Sequence, residues 1–157
     1  AVPFPSRCPV LVTTPGRPLN INLYQSIKCI IAAAPVVADD GVIVAYSECA
    51  EGVGSVDMLR PYENARNAGD VIDFLLRNYE IQMDHSLLLS KILQRGVRVV
   101  LVAPNVGDET AKLMGLIPAG SLDDGIRIAA DLAGAGSRVS FFPCPQRCLP
   151  VLSGKDA

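Results

Sequence analysis

Residues 10–34 read VLVTTPGRPLNINLYQSIKCIIAAA. The stretch opens on an apolar, β-branched run, breaks at Pro15, Gly16 and Pro18, and resumes with a different period. From Leu23 onward the apolar residues fall at 23, 27, 30, 31 and 34, the spacing of one helix face. A buried strand, a tight loop and an amphipathic helix in that order make the first half of a βαβ unit.

The same alternation runs down the chain. Val42–Tyr46 (VIVAY), Val97–Val102 (VRVVLV) and Arg138–Phe142 (RVSFF) join Val10–Thr13 as short apolar runs. The middle two are almost continuous in β-branched residues, as strands covered on both faces are. Between the runs lie helical patterns: Leu23–Ala34; Val71–Tyr79 after a cap at Asp70; Ser86–Gln94 before Gly96; Asp108–Met114 before Gly115; and Leu122–Ala133 between Ser121 and Gly134. The expectation is a single α/β domain over residues 1–157. It is a three-layer, Rossmann-like arrangement with a mostly parallel sheet of four to five strands, helices on both faces and right-handed crossovers. Val56–Asn67 is the least regular part, with Pro61 interrupting a helical pattern. Asp39-Asp40-Gly41 reads as a turn into the second strand, and the closing SGKDA reads as frayed.

Composition narrows the function classes. The chain has 157 residues, half of them hydrophobic and 19% charged, enough to bury a sizeable core. Net charge is −2, no basic run or Trp is present, and aromatics make up 5%, so nucleic acid is not an expected partner. No apolar stretch reaches the roughly 18–20 residues of a membrane span, and AVPFPSRCP has no signal-peptide core. The first residue is Ala, which suggests an excised domain or a processed product. Five scattered cysteines without a secretory signal point to reduced thiols and a cytoplasmic location. Cys144 and Cys148 in CPQRC could form half of a metal site, but the one histidine, His85, is far away in sequence. Two partly buried thiols in a loop is the plainer reading.

In an open parallel sheet, ligands collect outside the C-terminal strand ends, which nominates TTPGRPLN, SECAEGVG, APNVGDE and PCPQRC. In the first of these, Gly16 permits the turn and Asn20 or Asn22 can cap the helix. The first N–H groups of that helix would be free and the helix dipole positive there. Gln25 and Lys28 lie at i and i+3 and, with Cys29, project away from Leu23, Ile27, Ile30 and Ile31. A cation beside an amide suits a carboxylate. Ordinary solvated helix faces also carry Lys and Gln, so on the residues alone both readings stand. The glycines of ECAEGVG could approach a phosphate, yet neither GxGxxG nor a P-loop is present. Asp84, His85 and Ser86 point in successive directions and form no triad, and His85 reads as a cap-region residue.

Pro18 to Lys28, PLNINLYQSIK, resembles the Gly-Gly-Tyr-Pro-x-Asp-x-Asn-Leu-Tyr-Gln-x-x-Lys signature in the C-terminal domain of nickel-dependent lactate racemases. GVIVAYSECAEGVG is similar to the family's Gly-Gly-x-Ile…Cys-x-x-Gly-x-Gly segment, and the order of elements fits the same domain nearly to its end. The resemblance implies an isomerase that racemises or epimerises 2-hydroxy acids by reversible hydride transfer to a nickel-pincer nucleotide. It also implies that the cofactor, its lysine tether, the metal-binding histidine and the acid/base histidines belong to an N-terminal domain of the same polypeptide. This domain would then hold no catalytic or metal residue and would be inactive alone. Gln25 and Lys28 carry over as substrate-contacting residues, with Tyr24 and Arg17 as further candidates. Two departures stand out: Gly-Gly-Tyr is Pro15-Gly16-Arg17 here, and the motif's Asp is Asn20. Arg17 adds a positive charge suited to a second acidic group, which bears on whether lactate itself is the substrate. A non-catalytic small-molecule or nucleotide-binding α/β module is the alternative.

Overall fold

The computed structural model describes residues 1–154; the frayed end expected of SGKDA falls, from residue 155 on, outside them. Five parallel strands form the main sheet: β2 (Cys8–Thr13), β3 (Val37–Tyr46), β4 (Arg98–Val102), β5 (Ile117–Pro118) and β6 (Val139–Phe141). Their spatial order is β5-β4-β3-β2-β6. A second, two-stranded parallel sheet pairs β1 (Val2–Phe4) with β7 (Pro150–Leu152). The α/β class, parallel sheet and strand number follow the sequence reading. β1, β5 and β7 escaped it because two or three residues carry no measurable period.

The strands alternate cleanly between two cores. Leu11, Ile43, Ala45, Val99 and Leu101 point to one side, where α1 (Leu23–Ala33) and α3 (Asp84–Gln94) pack, with α2 (Ala68–Asn78) against α3. Ala111 of α4 (Asp108–Leu113) joins that core. Val10, Val12, Val42, Val44, Val100 and Val102 point to the other side, under α5 (Leu122–Ala133) alone. Helices therefore cover both faces, but unequally. α5 crosses the sheet from the β5 edge to the β6 edge, and it lies close because residue 125 is Gly. A Cβ there would sit 2.9 Å from Val102 Cγ2 and 3.0 Å from Val44 Cγ1.

Four expectations need correction. β3 begins at Val37, so Asp39-Asp40-Gly41 is not a turn before the strand but a bulge inside it. Cys8 pairs with Val37 and Val10 already with Val42, and Asp40 has φ 58°. Arg95 and Arg98 hold the bulge through the Asp39 carboxylate and the Asp40 carbonyl. α2 starts at Ala68 and not Val71, because Asn67, not Asp70, is the N-cap: its side-chain Oδ1 accepts from the Asp70 N–H. α3 starts two residues earlier than Ser86, at Asp84. Within Val56–Asn67, Asp57–Tyr62 winds into a 3-10 helix that contains Pro61.

Gly125→Val should wedge α5 away from Val44 and Val102. The expected loss of about 1–3 kcal/mol is read from urea denaturation, the range for overpacking a tight contact.

Candidate functional site

The start of α1 is built by the loop that follows β3. Leu23 and Tyr24 donate their backbone N–H groups to the carbonyls of Gly52 and Val53, at 2.9 and 3.0 Å. Asn22 caps the helix: its Oδ1 accepts from the Gln25 N–H at 2.9 Å and its carbonyl from the Ser26 N–H at 3.0 Å. The expectation of free N–H groups here is overturned, because all four have partners within the chain. Gly54 (φ +82°) lets the loop close over Asn22, since any Cβ there would overlap the Asn22 amide. The glycines of ECAEGVG thus serve contact with α1, and the loop gives no support to phosphate binding. Beneath, Ser26 Oγ lies 2.7 Å from Ser47 Oγ, and the Cys49 N–H donates to the Asn20 carbonyl at 2.9 Å.

With the backbone of α1 occupied, only side chains are left to meet an anion. Lys28 Nζ donates to Gln25 Oε1 at 2.6 Å. That contact turns the amide so that its NH2 remains available, and Lys28 keeps further N–H groups. Both residues are half-buried. Cys29 does not share their face: it is 1% exposed. Thr13 of β2 and the loops carrying Cys49 and Cys144 surround it, so the buried arc of α1 is wider than the wheel angles indicate. Burial pushes the Cys29 thiol up to about 12, which makes it a poor nucleophile.

The sequence reading missed what lies across from Tyr24. His85, expected near a helix cap, is 6% exposed in the first turn of α3, and its ring meets Tyr24 edge-on with centroids 4.4 Å apart. Its Nδ1 lies 3.3 Å from Asp84 Oδ1 but is not aligned to bond with it, and it has no hydrogen-bond partner. Burial lowers the imidazole from its ordinary 6.5; the Lys28 charge adds to this and Asp84 opposes it. Tyr24 is shifted upward by burial, then by Asp84 and Tyr79. Ser86 hydroxyl donates to the Met58 carbonyl at 2.7 Å, so Asp84, His85 and Ser86 form no relay. The one available signal was that the only histidine stands in the first turn of a helix beside an aspartate.

Among the described residues the Arg17 side chain makes no hydrogen bond or ion pair with this group. Its side chain is exposed beside a concavity of about 260 Å³ lined by Pro18, Asn20, Ile21, Glu48 and Ala50. The crevice between β2 and β6, where the strand order reverses, is filled by the loop after β6. Cys144 N–H donates to the Thr14 carbonyl, Gln146 to Pro15 and Arg147 to Arg17. A larger hollow of about 540 Å³ beside α2 is lined by Arg60, Arg66 and Arg77 together with Asp70 and Asp73, not by Gln25 or Lys28. Tyr24, Gln25, Lys28 and His85 therefore form a face without an enclosing wall of their own. Among the described residues no three His, Cys, Asp or Glu side chains converge to hold a metal, and the single imidazole is buried. These donors do not fit a nickel centre.

A five-stranded parallel sheet with helices on both faces and a Gln–Lys pair on its first helix places the chain among three-layer α/β domains. Residues 6–144 match the family model described as the lactate racemase C-terminal domain, and the chain belongs to that family. It is 28% identical over 137 residues to a lactate racemase from Thermoanaerobacterium thermosaccharolyticum, a match covering 85% of this chain and 32% of that protein. The solved structure of the lactate racemase apoprotein from the same organism superposes with a TM-score of 0.82 at 25% identity, over 94% of this chain and 36% of the other. The chain thus spans about a third of the length of these relatives.

Asn22→Ala should cost about 1 kcal/mol in a urea titration and speed hydrogen exchange at the Gln25 amide, because the cap is lost. A second expectation concerns pH. In the folded chain His85 binds its proton less readily than in the unfolded one, so below 6.5 the unfolded state carries more protons. Stability should fall between about pH 7 and 5. In His85→Gln the same denaturation series should show a shallower fall.

Proposed function

We propose that this chain is the substrate-facing C-terminal domain of a lactate-racemase-like enzyme acting on a 2-hydroxy acid. The observation that carries the reading is the Lys28–Gln25 contact of 2.6 Å on a helix whose own N–H groups are all engaged. Lys28 supplies charge and Gln25 an amide donor held at a fixed angle, so a carboxylate meets two converging donors. Tyr24, packed on His85, forms the apolar shoulder of the same face and limits water there. Fixing one end of the acid leaves its C2 and hydroxyl directed outward, which is what reaction on another domain requires.

On this reading the other domain is an N-terminal one, within the roughly two thirds of the relatives' length that this chain does not match. The resemblance assigns it a nickel-pincer nucleotide, which would accept and return hydride; no residue described here is given a part in that transfer. Arg17, which is exposed, stays a candidate only for a second acidic group on a longer substrate. A cytoplasmic location goes with this reading and is supported by the five free cysteines, three of them buried.

In the full-length protein, Lys28→Ala should lower kcat/KM for its hydroxy acid about 10- to 100-fold, the worth of a hydrogen bond to a charged group. Lys28→Arg should recover part of it. Steady-state kinetics that stay unchanged in Lys28→Ala across a panel of 2-hydroxy acids would remove the assignment.

A further inference from the structure

His85 is out of place as a structural side chain. It is 6% exposed, and its Nδ1 is buried without a hydrogen bond, an arrangement that costs free energy unless something offsets it. A phenylalanine would fill the same volume against Tyr24 without that cost. The imidazole is also flanked by opposite charges on separate helices. Asp84 lies on its own helix at 3.3 Å, the Lys28 ammonium acts on it from α1, and Tyr24 of α1 covers one edge. Beyond Tyr24 stands Tyr79, just after α2.

We propose that His85 is a positioning residue of the carboxylate face, which holds Tyr24 of α1 against α3 and takes up a proton from solvent when an anion settles on Lys28. The inference rests on the carboxylate reading above. With the face empty, burial and, to a lesser degree, the Lys28 charge disfavour the protonated ring. A carboxylate on Lys28 cancels that repelling charge and leaves the attraction of Asp84 unopposed by it. The incoming proton gives Nδ1 an N–H to share with Asp84, so a slight turn of the ring satisfies the atom that is now unpartnered. The bound acid then faces two cations where the empty site had one. By linkage, anion affinity must rise as pH falls through the range in which His85 titrates.

This device bears on which acids the face selects. A monocarboxylate neutralises Lys28 alone, and the added imidazolium gives net attraction to any further acceptor beside it. A 2-hydroxy or 2-keto oxygen is such an acceptor, whereas a simple aliphatic acid has none. The 2-oxygenated acids should therefore show the stronger proton linkage.

Because His85 is the only histidine, its Hε1 proton is an unambiguous NMR reporter. The 157-residue chain is titrated between pH 5 and 8 with sodium lactate, with sodium propionate, and with sodium chloride at the same ionic strength, while the Gln25 and Lys28 amides are followed. Lactate should shift both amides and raise the His85 midpoint by about half a pH unit, which by linkage is a roughly threefold tighter site at low pH. Lys28→Ala should abolish the rise. Shifts at Gln25 and Lys28 with an unmoved His85 midpoint would overturn this proposal and leave the carboxylate reading standing. No shift at any of the three would overturn both. An equal rise with chloride, or in Lys28→Ala, would reduce the effect to ionic screening and overturn it as well. In His85→Phe the Gln25 and Lys28 amides should still respond to lactate, with an affinity that no longer varies between pH 5.5 and 7.5; a retained pH dependence counts against the imidazole.

Discussion

The closure of the loop after β3 over the first turn of α1 is the constraint on which the site depends. Asn22 is held from both sides: it caps Gln25 and Ser26, and Gly54 lies against its amide. Gly52 and Val53 take the two N–H groups that precede the cap. Helix ends normally satisfy these donors with a side chain or water; here a neighbouring loop does so, and the helix is thereby fixed to β3 as well as to β2. Since Tyr24, Gln25 and Lys28 follow within two turns, their directions are set before any ligand arrives.

The same closure decides how the domain can bind. A helix start whose donors are taken cannot cradle a phosphate, and the crevice between β2 and β6 is occupied by Cys144–Arg147. Both of the places where a parallel α/β sheet commonly holds a nucleotide are therefore filled with protein. What remains is a face of side chains on α1 opposite α3, half-buried and without a far wall. On the reading proposed above, such a face would grip one end of a small acid and leave the other end for a facing body.

Much of the architecture was legible because the signals were strong and redundant. VIVAY and VRVVLV are covered on both faces, so every position but Arg98 is apolar or aromatic, and the helices carry full-length stripes. The misreadings share one cause, which is that local pattern was allowed to settle contacts made by distant segments. Asp39-Asp40-Gly41 has turn chemistry, yet Arg95 and Arg98 hold it inside a strand. Cys29 sits on the wheel beside Lys28, yet Thr13 and the loops carrying Cys49 and Cys144 bury it.

The sequence by itself determined the alternation of strands and helices, the apolar stripe of α1 and the i, i+3 placement of Gln25 with Lys28. These follow from periodicity and from backbone geometry within a single element, where neighbours in sequence are neighbours in space. Only the tertiary structure decided that the glycines of ECAEGVG close on Asn22 and that His85 packs against Tyr24. Those outcomes depend on segments some 30 to 60 residues apart meeting at close range. No local pattern encodes such distances; they are fixed when the sheet order and the helix layers bring the segments together.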